Sequence, residues 1–225
     1  MAPFWNRKKD EKAEPQAQEI PDDVVTKLIS QLLQVGIDGV GPLPSAQKVA
    51  DKALAKHKSV DKAVEDVVGD HLRAAAAGGF LTGLGGFITL PVALPANIIE
   101  FYTIVTRMTA AIAALRGYDL SKPEVRSAVL LVLTGSNAHE VLNKVGVGGA
   151  GGSAITRLAL GKLPAAVLMM VNKGVGFQIL KSSSTKLLSK LGKGIPVAGG
   201  VIGGGMDGWM AKRIADHARR EFPQV

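Results

Sequence analysis

The N-terminal third of the chain alternates charged and apolar positions at helical spacing. Apolar side chains recur from Asp22 to Val35, which predicts a short amphipathic helix. Two more helices are predicted from Ser45 to Lys56 and from Val60 to Arg73, where charged residues fall on the outer faces. Ser59 can cap the second of these because its hydroxyl can accept a backbone N–H bond. The pattern therefore predicts three helices before residue 74.

A long uncharged stretch follows, from Ala74 to Ile99, and five glycines and two prolines interrupt it. Such a stretch must be buried, in protein or in lipid. Pro91 and Pro95 each remove a backbone donor and clash with the preceding turn. We therefore predict a bent or hairpin-like pair of apolar helices, with a single membrane span of about 20 residues as the alternative. A further apolar helix continues to Gly117.

Three short patterns predict helix starts near residues 98, 122 and 138. Each has Asn or Ser followed three residues later by Glu, in which both side chains can cap backbone N–H groups: Asn97–Glu100, Ser121–Glu124 and Asn137–Glu140. This local role is the first interpretation of these glutamates.

Glycines at four-residue spacing predict faces on which helices approach closely. The candidate helix-packing glycines are Gly79, Gly83, Gly199, Gly203, Gly204 and Gly208. The predicted fold is thus an all-α, glycine-rich domain with apolar helical hairpins over residues 21–222. A disordered basic and polar arm over residues 1–20 precedes it, because that segment lacks hydrophobic periodicity.

The segment from Val171 to Gly192 predicts a basic amphipathic helix, with Phe177, Leu180, Leu187 and Leu191 on one side. A helix of this kind lies on anionic membranes, or else packs on the core with its lysines in water. The candidate membrane-facing basic residues are Lys173, Lys181, Lys186, Lys190 and Lys193.

Positive charge is concentrated in the same part of the chain. The net charge is +8, and residues 141–206 hold eight Lys or Arg and no Asp or Glu. A field of one sign attracts anionic lipid or an acidic protein. Nucleic acid is not expected as a partner, because no aromatic and basic reading surface accompanies the charge.

Few residues are arranged for chemistry. The chain has no cysteine and its four histidines are scattered, so neither a metal site nor a cofactor is expected. Glu100 and Arg107 share a helix face and, with Tyr118 and Asp119, form the candidate polar patch. We interpret the charged pair as a buried salt bridge or cap, or as part of a patch for a lipid-like ligand with a charged head.

Two blocks, residues 78–130 and 192–214, resemble the bacterial EcsC family, whose members are often encoded beside an ABC transporter. The resemblance rests on Leu90-Pro91, Leu94-Pro95, Arg107, Gly117-Tyr118-Asp119 and the Ile195-Pro196-Val197 segment. Asn97 stands where many members are expected to have an acid, and Asp207 where an amide is expected. The resemblance implies an all-helical domain but no reaction or cofactor.

The leading functional hypothesis is a non-enzymatic, membrane-associated accessory protein that packs glycine-rich apolar helices against lipid or a membrane partner. An ABC transporter is a possible partner by resemblance. The alternative is a soluble helical module that binds a lipid-like apolar ligand in a glycine-lined internal cavity. An enzyme using Glu100, Arg107 or His139 has the least support. The N-terminal residues do not resemble a signal peptide, so we expect the protein in the cytoplasm, peripheral to or partly inserted in the inner face of the membrane.

Overall fold

The computed structural model describes residues 20–77, 96–148, 153–191 and 199–225, with the backbone alone for 96–97, 184–191 and 199–204. These residues form nine α-helices, a π-helical segment (Leu32–Asp38) and a 3-10 turn (Gly135–Asn137), without a strand. The helices are α1 (Asp22–Gln31), α2 (Ala46–Lys56), α3 (Val60–Ala77), α4 (Ala96–Leu115), α5 (Pro123–Val132), α6 (Ala138–Lys144), α7 (Ala154–Leu160), α8 (Ala165–Leu191) and α9 (Gly199–Glu221). The predicted all-α fold is confirmed. The predicted N-terminal arm lies outside the described residues except for Ile20. The predicted apolar hairpin does so except for residues 74–77 and 96–99, which belong to helices α3 and α4.

The helices predicted from local signals begin where expected. Ser45 accepts a hydrogen bond from the backbone N–H of Lys48 at 3.2 Å, and Ser59 accepts one from Lys62 at 3.4 Å. Both serines therefore act as N-caps. The first helix differs from its prediction, because after Gln31 it continues as the π-helical segment to Asp38.

Two of the predicted capping boxes do not form. Helices α5 and α6 start within a residue of the predicted positions, but neither has a side-chain hydrogen bond at its N-cap. The Ser121 hydroxyl donates instead to Asp119 Oδ1 at 2.7 Å, and Glu140 pairs with Lys144 at 2.8 Å. For the third box, the Asn97 side chain lies outside the described atoms.

Helix α4 is the centre of the domain. It contacts the π-helical segment, α2, α3, α5 and α9, while α5 is covered on its other sides by α7 and α8. Every residue from Ile99 to Ala113 is buried. A helix that is apolar all round must be enclosed on all sides, and here other helices enclose it.

Among the described residues, one helix has the length and hydropathy of a membrane span. Its window runs from Ile98 to Leu115 with a mean hydropathy of 1.5, and 89% of that window is buried inside the protein. The central helix of a helical domain has the same length and hydropathy, so these properties do not distinguish a membrane-spanning helix from a helix buried in a protein core.

Two of the three buried threonines of α4 bond inside the helix, whereas the Thr109 hydroxyl has no partner among the described residues. The Thr103 hydroxyl donates to the Ile99 carbonyl at 2.8 Å, and the Thr106 hydroxyl donates to the Tyr102 carbonyl at 2.6 Å. Such bonds to the preceding turn let threonine enter a buried helix without an unpaired hydroxyl.

The C-terminus of α4 is closed by a glycine turn and by the C-terminal segment of the chain. Gly117 has a φ of 94°, and the following N–H of Tyr118 bonds back to the Ala113 carbonyl at 3.0 Å. This left-handed turn is the usual C-cap of a helix and favours glycine. Tyr118 then packs edge-on against the fully buried Phe222, with ring centroids 5.0 Å apart.

The closest glycine-mediated helix contacts in the described structure are not at the predicted glycines. A Cβ at Gly36 would lie 2.7 Å from Thr106 Cγ2, and one at Gly176 would lie 2.8 Å from Val25 Cγ1. At Gly208 the nearest atom would be Ala76 Cβ, at an ordinary 3.6 Å. Gly199, Gly203 and Gly204 lie on α9 without described surroundings, and Gly79 and Gly83 lie outside the described residues.

Candidate functional site

A cleft of about 500 Å³ lies between α2, α3 and α4. Its walls are largely apolar, with Val49 and Ala53 from α2, Val67 and Ala74 from α3, and Ile104 from α4. Arg107 also lines it, and we call it the Arg107 cleft. Its volume falls within the range of about 300–1,000 Å³ that is common for small-molecule sites.

Arg107 is a buried charge with little compensation. The residue is only 5% exposed, and its Nη2 donates to the Val35 carbonyl at 2.7 Å. Within the part of the chain that the structure describes, this is the one hydrogen bond of the guanidinium, its buried Nε has no partner, and no carboxylate pairs with it. Burial lowers the pKa of Arg107 to about 10, so the group remains charged at neutral pH.

His71 also lines the cleft, on the neighbouring helix α3. Its Nδ1 lies 2.7 Å from the Val67 carbonyl, so a neutral imidazole would donate from Nδ1. Burial lowers the pKa of His71 below its ordinary value of 6.5, and the positive charge of Arg107 lowers it further. The His71 ring is therefore uncharged at neutral pH.

A row of lysines on α2 borders the cleft, with Lys48, Lys52 and Lys56 spaced by four residues. Lys56 pairs with Asp66 at 2.9 Å, whereas Lys48 and Lys52 form no ion pair with a described residue. The hydrogen bond from Lys56 holds the pKa of Asp66 below its usual value.

The second carboxylate at the cleft is also paired, since Asp70 contacts Arg73 at 2.6 Å. The described lining thus contains four cationic side chains and two anionic ones. Both anionic groups already have cationic partners, so the cleft has an excess of positive charge.

The structure does not bring the predicted polar patch together. Glu100 is buried on α4 but does not pair with Arg107, which lies about 10 Å further along the helix axis. Tyr118 is buried beyond the C-terminus of α4 against Phe222. Asp119 accepts hydrogen bonds from the backbone and hydroxyl of Ser121.

The side chains considered for the least supported hypothesis, an enzyme, also lie apart. His139 and Ser136 line a cavity of about 170 Å³ that contains neither Glu100 nor Arg107. The described residues contain no group of three His, Cys, Asp or Glu that could hold a metal ion. The arrangement gives no support to a shared catalytic centre at these residues.

A second candidate surface is one side of α8. Met169, Met170 and Phe177 are 69%, 54% and 47% exposed, which is unusual for large apolar side chains. They lie three or four positions from the exposed Lys173 and Lys181, so the five side chains share a helix side. We call this surface the α8 face, and define it by these five residues.

The candidate membrane-facing lysines have different positions. The Lys173 ammonium contacts the Asp22 carboxylate at 2.6 Å. Lys181 is exposed one turn beyond Phe177. Lys186 and Lys190 follow on the same helix, without described side chains, and Lys193 lies outside the described residues.

Phe177 and Leu180, three positions apart, lie on adjoining parts of the helix surface, but only one of them is covered. Leu180 is 3% exposed against the core, whereas Phe177 is 47% exposed beside the lysines. Helix α8 packs on α1, α5 and α6, and these contacts decide which of its apolar residues are covered. Met169 and Met170 were not predicted as surface residues, although their spacing from Lys173 is visible in the sequence.

The fold and the two surfaces define a purely helical protein in the described residues, with a cationic cleft and a mixed apolar and basic helix face. The model of the EcsC protein family matches residues 3–224, nearly the whole chain. The chain therefore belongs to the EcsC protein family. No curated protein and no solved structure matches it.

Proposed function

We propose that this EcsC family member is a non-enzymatic accessory protein that attaches to anionic membranes through the α8 face. The observation that carries this proposal is the exposure of Met169, Met170 and Phe177 on the same helix side as Lys173 and Lys181. Leaving such side chains in water forgoes the favourable transfer of apolar surface. Contact with a bilayer would cover them.

The composition of the face fits the boundary between head groups and acyl chains. Methionine and phenylalanine can enter the acyl region, while lysine stems run along apolar surface and place the ammonium among phosphates. A basic residue near an anionic membrane surface contributes about 1 kcal/mol. Two lysines on the face would therefore raise affinity for anionic vesicles roughly tenfold or more.

The ion pair between Lys173 and Asp22 does not oppose this role. Both side chains are more than half exposed, and exposed pairs contribute at most about 1 kcal/mol. Lys173 can exchange Asp22 for a lipid phosphate at little cost. The absence of acidic residues from positions 141–206 favours the same orientation of the domain.

The proposal places the protein at the cytoplasmic side of the cell membrane, peripheral or partly inserted. The proposed protein partner is a membrane protein. The resemblance to the family suggests an ABC transporter for this role. The buried helix α4 is not needed for this contact, because the described protein already encloses it.

A second candidate function is a helical module that binds a lipid-like ligand internally. The Arg107 cleft favours it, because the cleft combines apolar walls with a buried cation. The sequence predicted a glycine-lined cavity, but the described lining of this cleft contains no glycine.

Flotation with vesicles tests the membrane proposal. Wild-type protein should float with vesicles of phosphatidylglycerol and phosphatidylcholine at low salt, and should float less with phosphatidylcholine alone or at high salt. The double variant Met170→Ser/Phe177→Ser should lose most of the binding. Leu54→Ser is the matched control, because Leu54 is 48% exposed on α2 rather than α8. Equal flotation of wild type and the double variant would refute the role of the α8 face.

A further inference from the structure

The buried positive charge of Arg107 has no negatively charged partner among the described residues. A guanidinium has five N–H donors, and in Arg107 one hydrogen bond, to the Val35 carbonyl, is made. A buried charge without a counter-ion is strongly unfavourable, and proteins normally pair such groups. The bond to Val35 links α4 to the π-helical segment, but a neutral carbonyl leaves the charge uncompensated.

The described acidic groups near the cleft do not supply the missing anion. Asp66 is paired with Lys56, and Asp70 is paired with Arg73. Glu100, the only acidic residue of α4, lies two helical turns away and forms no ion pair with Arg107 in the described structure. A ligand that enters the cleft can supply the charge.

We propose that the Arg107 cleft is a binding site for a phosphate-type anion. The guanidinium of Arg107 can make paired hydrogen bonds to phosphate oxygens, which a lysine cannot reproduce. Lys48 and Lys52, which lack ion pairs with described residues, add positive charge at the rim. Apolar groups of a larger ligand would contact Val49 and Ile104 on the walls.

The volume of the cleft admits both a free phosphate and a phosphorylated head group with short apolar chains. The shared chemistry is the phosphate oxygen, and the two sources are separable by experiment. This inference does not depend on membrane attachment, because no residue of the α8 face lines the cleft.

The test measures binding to the full chain by isothermal titration calorimetry and thermal denaturation at constant ionic strength. One arm uses inorganic phosphate against chloride, and the other uses dihexanoyl phosphatidylglycerol below its micelle concentration. Binding of either probe, with a raised Tm, supports the site, and the arm that binds more tightly identifies the source of the phosphate.

Variants separate the site from general charge effects. Arg107→Met should weaken binding tenfold or more, because a charge-assisted pair is lost. Lys48→Gln/Lys52→Gln changes exposed residues only and should weaken binding roughly threefold or more. The matched control is Lys58→Gln/Lys62→Gln, which removes two exposed lysines that do not line the cleft and should leave affinity unchanged.

The proposal is overturned if neither probe binds or shifts the Tm of the wild type. It is equally overturned if the Lys48→Gln/Lys52→Gln and Lys58→Gln/Lys62→Gln variants lower the affinity for the probe by the same factor, since attraction would then follow net charge alone. If Arg107→Met fails to fold, the comparison of the two lysine pairs decides. Vesicle flotation of the Lys48→Gln/Lys52→Gln variant should match that of the wild type, which distinguishes failure of this site from failure of membrane attachment.

Discussion

Substitution of Gly36 by alanine tests how closely α4 and the π-helical segment are packed. The added Cβ would lie 2.7 Å from Thr106 Cγ2 and 2.8 Å from Thr106 Cβ, whereas carbon atoms prefer about 3.5–4.0 Å. Thr106 is fully buried, and its hydroxyl is bonded to the Tyr102 carbonyl at 2.6 Å. It cannot rotate away without losing that bond, so the two helices must move apart.

The expected loss follows from two opposing effects. Overpacking of a core costs about 1–3 kcal/mol, while alanine restricts the unfolded chain and returns about 0.4–1 kcal/mol. Gly36→Ala should therefore reduce the free energy of unfolding by about 1–2 kcal/mol. For a chain of this size the Tm should fall by about 2–4 °C per kcal/mol.

Urea denaturation followed by circular dichroism measures this change. Gly205→Ala is the matched control, because Gly205 lies in helix α9 with no atom of the described residues within 4 Å of an added Cβ. It should stabilise the protein by about 0.5–1 kcal/mol, since glycine is a poor helix former. If Gly36→Ala is as stable as the wild type, Gly36 and Thr106 do not pack as closely as described.

Three further predictions concern other parts of the domain. Phe222→Ala should destabilise the protein by about 3–5 kcal/mol in urea denaturation, because Phe222 is fully buried; a loss below 1 kcal/mol would show that the C-terminal segment does not pack as described. Ser45→Ala should cost about 1 kcal/mol by removing the N-cap of α2, and Ser45→Asp should restore it; equal stability of all three proteins would exclude the cap. Stability of the wild type should fall as the pH drops below 6.5, because the unfolded chain then binds a proton that the folded His71, with its lowered pKa, does not bind. His71→Gln should flatten this part of the pH dependence of the urea midpoint, and an unchanged slope would contradict the lowered pKa.

Local signals predicted the helices well, because caps and periodicity act within a few residues. Ser45 and Ser59 cap helices α2 and α3, and the expected start of α5 is off by one residue. The capping hydrogen bonds of Ser121 and Asn137 were predicted wrongly, since Asp119 competes for the first and the second lies in a 3-10 turn. Competition between short-range partners is decided by backbone geometry that a spacing rule does not contain.

Tertiary contacts account for what the sequence could not show. Gly36 and Gly176 allow close helix approaches but belong to no four-residue glycine repeat that would have marked them. Arg107 was a candidate from its helix position, yet its lack of a counter-ion among the described residues depends on the pairing of Asp66 with Lys56 and of Asp70 with Arg73. Phe177 became a surface residue because α8 packs through Leu180 and its neighbours.

The most direct test of the proposed function is whether Phe177 enters a bilayer. Since the chain has no cysteine, a single Phe177→Cys variant can carry an environment-sensitive nitrobenzoxadiazole label, with Leu54→Cys as the control. Vesicles containing phosphatidylglycerol should shift the emission of the label at position 177 to shorter wavelength and increase its intensity, with no change at position 54. An unchanged spectrum at position 177, or the same change at both positions, would contradict attachment through the α8 face.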